Sequence, residues 1–231
     1  FYSENSRTHY APSPTTNENS LIQKNTAYNQ LDLLQKFLIQ LNKQNQLVIN
    51  FQYSNSSDIP RYDKLTEQQN GNLRFAEWFY GPQKRLLIAP QLKLFPQKKF
   101  LNSGRITLAY QNIDESRNSR PFGSLIRKIQ KENIEVWSLN GDFEFDLNQR
   151  HSFSYGFEGT LNLVKSFAYG KELILQQNEI INLKPSNPFS TRYPSKGSSY
   201  DSFASFANWI WDINSELTLN LGLRFTNTNL E

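Results

Sequence analysis

Residues 148–166, NQRHSFSYGFEGTLNLVKS, decide the fold. In them Phe153, Tyr155, Phe157 and Leu161 alternate with Ser152, Ser154, Glu158, Thr160 and Asn162. A period of two belongs to a strand with one apolar and one polar face. Such a sheet turns its rings either into a protein core or toward lipid, and the alternation by itself suits both.

The same rhythm extends on both sides. Upstream, EVWSLNGDFEF sets Trp137, Leu139, Phe143 and Phe145 against Ser138, Asn140, Asp142 and Glu144, and DLNQR turns it into the opening stretch. RLLIAPQLKL passes through FPQKK into GRITLAYQN, where Ile106, Leu108 and Tyr110 oppose Arg105, Thr107 and Gln111. Nearer the start, Leu31, Leu33, Phe37, Ile39 and Leu41 share one parity, and after NKQNQ the pattern resumes as Leu47, Ile49, Phe51 and Tyr53. Downstream, FASFANWIW turns through DINSE into LTLNLGLRF. The pattern predicts four hairpins, about eight strands of roughly ten residues.

Short connections thus alternate with long stretches rich in Ser, Asn, Arg and Pro. Short turns at one end and long loops at the other are the asymmetry of transmembrane barrels, whereas sandwiches and propellers mix connection lengths at both ends. Rings cluster at two levels: Tyr110 and Trp137 toward the long loops, Trp209, Trp211 and Phe145 near the short turns. That arrangement suits two interfacial girdles. The reading is therefore an all-β, antiparallel transmembrane β-barrel segment in which Phe153, Tyr155, Phe157 and Leu161 face lipid. A one-sided sheet packed on another sheet is the alternative.

Composition agrees. Hydrophobic residues make up only 37% of the 231, aromatics reach 14%, and no run approaches the roughly 20 apolar residues that a membrane helix needs. Without cysteine there is no disulfide framework and no thiolate metal site. The net charge of +4 is scattered, with no basic block for nucleic acid. A chain that opens on Phe1 and lacks Met reads as an excerpt of a longer protein.

Catalytic signals are absent. His9 lies in a polar leader and His151 beside a turn, neither near an identifiable partner; Asp142 and Glu144 read as polar-face charges paired with arginines. No phosphate-binding glycine loop, GxSxG or HExxH occurs. The expectation is a non-enzyme without metal or cofactor. The long connections are richer. Arg61 and Tyr62 stand together in SSDIPRYDKLTE, Arg117, Arg120, Arg127 and Lys128 in ESRNSRPFGSLIRKIQKEN, and Arg192, Tyr193 and Lys196 in PFSTRYPSKGSSY. Forked guanidinium hydrogen bonds and ring stacking suit an anionic or aromatic ligand, so Arg61, Tyr62, Arg120, Arg192 and Tyr193 are the candidate ligand contacts. SLIRKI is expected to form a short helix within its loop, and ELILQQNEIINL a small hairpin.

With these segments in view, the chain resembles the barrel portion of TonB-dependent outer-membrane receptors, especially a Bacteroidetes-type group described as haemoglobin, transferrin or iron-complex receptors. VINFQYSNSSDIPRYDKLTE, LRFAEWFYGPQKRLL, LAYQNIDESRNSRPFG, TRYPSKGSSYDSFA and WDINSELTLNLGLRFTNT carry the resemblance. It implies a receptor of about 22 strands in the bacterial outer membrane, plugged by a separate N-terminal domain and energised through the TonB complex. This chain, residues 1–231, would supply a middle part of the barrel without the plug or the terminal strands. Outer-membrane lipid and a small-molecule or haem-protein ligand are the implied partners, with an iron complex, haem or siderophore, as cargo. No site residue of the family transfers to a position here. A passive outer-membrane barrel and a soluble carbohydrate-binding β-domain are the other readings.

Overall fold

The computed structural model describes residues 25–96, 98–177 and 179–231; His9 lies outside them. The chain runs β1 (Gln30–Asn42), β2 (Asn45–Ser56), β3 (Ile59–Pro60), α1 (Tyr62–Leu65), β4 (Gln68–Gln69), β5 (Asn72–Leu73), β6 (Phe75–Tyr80), β7 (Lys84–Leu94), β8 (Ser103–Pro121), β9 (Ile126–Asn148), β10 (His151–Gln176), β11 (Glu179–Pro188), β12 (Ser198–Asp212) and β13 (Thr218–Leu230). Eight of these form one antiparallel path, β1-β2-β7-β8-β9-β10-β12-β13. The four expected hairpins are its consecutive pairs, and the sheet stays open between β1 and β13.

Asparagine side chains build three of the short turns. Asn42 Oδ1 accepts from Gln44 N (2.9 Å), Asn148 Oδ1 from Arg150 N (2.8 Å), and Asn214 Oδ1 from Glu216 N and Leu217 N (2.9 Å each). Each oxygen mimics the backbone carbonyl of a turn and fixes where the strand reverses.

Registers join the apolar parities of neighbouring strands into one face. Phe37 pairs with Ile49, Ile49 with Pro90, Ile88 with Tyr110, Tyr110 with Trp137, Trp137 with Leu161, Phe153 with Trp209, and Trp209 with Leu221. The opposite face carries Arg105 against Asp142 (3.1 Å) and the Arg224–Glu158 pair, as the alternation predicts. Phe145 stacks on Phe153 with centroids 4.9 Å apart, and Trp209 on Trp211 at 5.7 Å. His151 belongs to this aromatic row: its Nδ1 accepts from Trp209 Nε1 at 3.1 Å. Gly141 seats the Phe157 ring of the apolar face, where a Cβ would fall 2.5 Å from it, and on the polar face a Cβ on Gly156 would fall 2.2 Å from the Gly141 carbonyl and 2.6 Å from the Phe206 ring.

The apolar band is about nine residues tall on β9, from Trp137 to Phe145, and on β10, from Phe153 to Leu161, matching the roughly 9–11 residues of a tilted membrane strand. Its upper edge is oblique to the hydrogen-bond rows. One row runs Leu33, Tyr53, Leu86, Asn112, Glu135, Leu163, Ser199, Glu231. The band edge sits at Leu31, two positions above this row on β1, and at Phe225, six below it on β13. That drift of about eight residues over seven strand steps, at about 3.4 Å per residue and 4.8 Å per step, makes an angle of about 40°, within the tilt of membrane barrels.

Beyond the band the structure departs from the expected loops. β8, β9 and β10 are 19, 23 and 26 residues long, and β8 reverses into β9 within residues 122–125. ESRNSRPFG is therefore mostly strand. SLIRKI is not helical: from Ile126 it is the start of β9, because its backbone groups find a partner strand in β10, Ile126 opposite Glu172 and Ile129 opposite Tyr169. The expected small hairpin is present as β10–β11, turned at Gln177 with φ of 50°. SSDIPRYDKLTE holds the single turn α1.

Candidate functional site

The end of the sheet opposite the short turns gathers the charged and aromatic residues of the long connections. β6 extends the sheet there beside β8, with Glu77 opposite Arg120, Trp78 opposite Ser119 and Tyr80 opposite Arg117. The β8–β9 register is continuous from Ser103 to Ser119, so Arg117 lies on the same face as Arg105, and Arg120 on the face of Tyr110.

On the polar face, Trp78 and Tyr80 meet edge to face at 4.9 Å. The Arg61 guanidinium lies 5.5 Å from the Trp78 centroid and 5.7 Å from that of Tyr80, and its Nη1 donates to the Tyr80 hydroxyl at 3.1 Å. Its fork is already taken: Nε and Nη2 donate to the two Asp63 oxygens at 2.8 and 2.7 Å. This hydrogen bond holds the Arg61 guanidinium above its ordinary value and the Asp63 carboxyl below its own. Arg117 also lies over the Tyr80 ring, at 6.0 Å from its centroid. Tyr62 opens α1 next to Arg61 and is half-buried.

Residues 189–197 cross the same face. Arg192 Nη1 lies 3.6 Å from both Glu115 Oε1 and Glu132 Oε2, and the guanidinium is 5.7 Å from the Tyr193 ring. Tyr193 itself is 40% exposed.

Arg120 is a correction. Expected at the surface of a loop, it is fully buried on the apolar-parity face, in β8 opposite Glu77 of β6. Its Nε is 3.2 Å from Glu77 Oε2 and its Nη1 donates to the Ser124 carbonyl at 2.8 Å. Arg127 grips Glu77 from β9 with two hydrogen bonds, 2.8 and 3.0 Å. Burial would push the Glu77 carboxyl up, but Arg127 and Arg120 outweigh it and hold it below the usual glutamate range. A buried carboxylate needs such partners, so this arginine is committed to the fold.

The structure thus joins Arg61 to Trp78, Tyr80 and Arg117, and Arg192 to Tyr193, Glu115 and Glu132. Sequence reasoning missed Trp78 and Tyr80 as site residues, though AEWFY held a signal: one acid in an otherwise apolar run calls for a buried cation and orders the rings beside it. Glu115 and Glu132 gave no signal, because their pairing depends on register. Among the described residues no group of three or more His, Cys, Asp or Glu could hold a metal ion.

Against this geometry stand the known proteins. Among solved structures the chain is similar to the copper transporter OprC, with a TM-score of 0.60 and 9% identity over 88% of this chain and 29% of that one. At such identity the likeness shows the fold alone, and this chain spans less than a third of OprC's length. No curated protein matches the sequence. From residue 2 to residue 231 it matches the family described as TonB dependent receptor-like, beta-barrel. An oblique apolar band on an antiparallel sheet with a polar opposite face is the wall such barrels are built from, and the chain belongs to the TonB-dependent receptor β-barrel family.

Proposed function

We propose that this chain is part of the barrel wall of an outer-membrane receptor that takes up a scarce ligand, an iron complex such as haem or a ferric siderophore, with energy supplied through TonB. Membership of the family supports TonB-dependent uptake, and proteins of this family transport rather than catalyse. In this reading Phe153, Tyr155, Phe157 and Leu161 face lipid and the polar face lines the lumen. The observation that carries it is the single apolar band, about nine residues tall and tilted about 40°, ending near the short turns in the row Phe145, Phe153, Trp209 and Trp211 and carrying Tyr110 against Trp137 toward the other edge.

The capture surface in this reading is the lumen side of the long-connection end. Trp78, Tyr80, Tyr62 and Tyr193 offer ring faces there, and Arg61 and Arg192 are the charged contacts. Because Asp63 fills the Arg61 fork, stacking carries more of the affinity than charge, which favours a flat, conjugated ligand over a compact anion.

The test is binding of labelled haem and of ferric siderophores to whole cells carrying the full-length receptor, with and without TonB. Binding should persist without TonB while internalisation stops, since contacts hold the ligand and TonB drives its release. Trp78→Ala with Tyr80→Ala should weaken binding more than Arg61→Ala. Uptake undiminished without TonB, or no binding of either ligand class, would overturn the proposal.

A further inference from the structure

Glu115 and Glu132 are direct cross-strand partners on the polar face. Like charges set opposite each other destabilise a ladder, and here one of the two is fully buried. Glu132 Oε1 accepts from Ser166 Oγ at 3.3 Å, while its Oε2 has no hydrogen bond. The cation that meets both carboxylates comes from about 60 residues further along the chain, as Arg192. Its contacts of 3.6 Å are ion pairs without hydrogen-bond closure, whereas Arg127 reaches Glu77 at 2.8 Å. The pocket is therefore cationic in preference yet loosely filled.

Three further contacts lay the Arg192 segment across this wall. Gln130 Nε2 donates to the Ser190 carbonyl at 3.2 Å, Lys128 Nζ sits 5.6 Å from the Phe189 centroid, and the Phe189 ring fills the space over Gly170, where a Cβ would stand 2.9 Å from it.

We propose that the Glu115–Glu132 pair is a binding site for an organic cation of the guanidinium type, filled in this structure by the chain's own Arg192, so that residues 189–197 form a strap which a free cation displaces. The cation these carboxylates already meet is a guanidinium, and no group of three or more His, Cys, Asp or Glu that could hold a metal ion occurs among the described residues. A guanidinium freed from the strap can move in from 3.6 Å to hydrogen-bonding distance, which the tethered one does not reach. The site is independent of the identity of the transported cargo.

The experiment uses the full-length receptor in detergent, with guanidinium chloride as the probe and sodium chloride at equal ionic strength as the control. Strap release is read as tryptic cleavage after Lys196, which lies exposed within 189–197. Cleavage tracks the open population, so Arg192→Ala should speed it about tenfold while Arg192→Lys stays within about twofold of wild type. Low-millimolar guanidinium should speed cleavage of the wild type. It should also raise the melting temperature of Arg192→Ala by relieving the exposed carboxylate pair, and leave Arg192→Ala with Glu132→Gln unmoved. Arg192→Gln, which keeps most of the volume, serves if the alanine variant does not fold. Cleavage unchanged in the Arg192 variants refutes the strap. Equal responses to sodium chloride, or to guanidinium in the double variant, refute the site.

Discussion

Leu221 stands at the middle of the apolar stripe of β13, with Leu219 and Leu217 toward the short turn and Leu223 and Phe225 toward the long connections. Its register partner is Trp209. If this face meets lipid, an arginine at Leu221 lies near the bilayer midplane and should cost about 2–4 kcal/mol, while one at Phe225 or Leu217, four residues away, should cost only about 0–1 kcal/mol. Asn220, on the opposite face beside Ile210, should accept arginine at almost no cost. A core between packed sheets predicts otherwise: an unpaired buried guanidinium there costs several kcal/mol at any depth along the strand. The assay is equilibrium unfolding of the full-length receptor in lipid vesicles for Leu217→Arg, Leu221→Arg, Phe225→Arg and Asn220→Arg. A peak at Leu221 with both flanks near zero supports the lipid face. Equal costs along the stripe, or a larger cost at Asn220 than at Leu221, would refute the assignment of faces.

Arg120→Ala should destabilise the β6 end of the sheet by about 3 kcal/mol, because it strips the buried Glu77 of one of its two cations, the fully buried one; hydrogen exchange of residues 75–80 and 117–121 reports it. The same region should loosen in acid. Glu77 has its folded value held below its ordinary 4.5, so its contribution is fully present above 4.5 and is lost as pH falls through the lower folded value, and exchange protection should be intact at about pH 5 and fail only beneath it. Gly156→Ala should cost about 1–3 kcal/mol through the collision with the Gly141 carbonyl, measured by the same vesicle unfolding.

The hairpins were legible because the membrane-height part of each strand has one wet and one dry face, so parity survives in the sequence. Phe143, Phe145, Phe153 and Tyr155 announce their strands before any register is known, and Asn42, Asn148 and Asn214 mark three of the reversals. Past Trp137 that signal ends. Glu135, Asn133 and Lys131 continue on the face that carried Trp137, while Val136 and Ile134 fall on the face of Ser138 and Asn140, so the apolar parity switches sides and then lapses although the ladder does not. ESRNSRPFG consequently reads as loop, and the isoleucines of SLIRKI read as a helical stripe. Arg120 was misplaced for a related reason: its burial depends on β6 arriving beside β8, a pairing between residues more than 40 apart.

Extending the sheet beyond the band changes what must hold it together. Under the proposed lipid contact, unpaired backbone is forbidden within the band and the ladder is enforced. Above it, water competes for every backbone group and each hydrogen bond is worth about 1 kcal/mol net. Strands as long as β9 and β10 therefore need side-chain ties there, and the structure supplies them with charge: Glu77 between Arg120 and Arg127, and Arg192 between Glu115 and Glu132. Of the arginines that the sequence offers for ligand capture, Arg120 and Arg192 are thus engaged in tying the wall, while Arg61 is held by Asp63 within its own connection. Trp78 with Tyr80 beside Arg61, and Tyr193 on the strap, are the rings on this face that no carboxylate engages. A ligand that trades carboxylates for these arginines loosens the wall as it binds, whereas one that stacks on the rings leaves it standing, and under the proposed function, in which cargo is held until energy arrives, the second serves better.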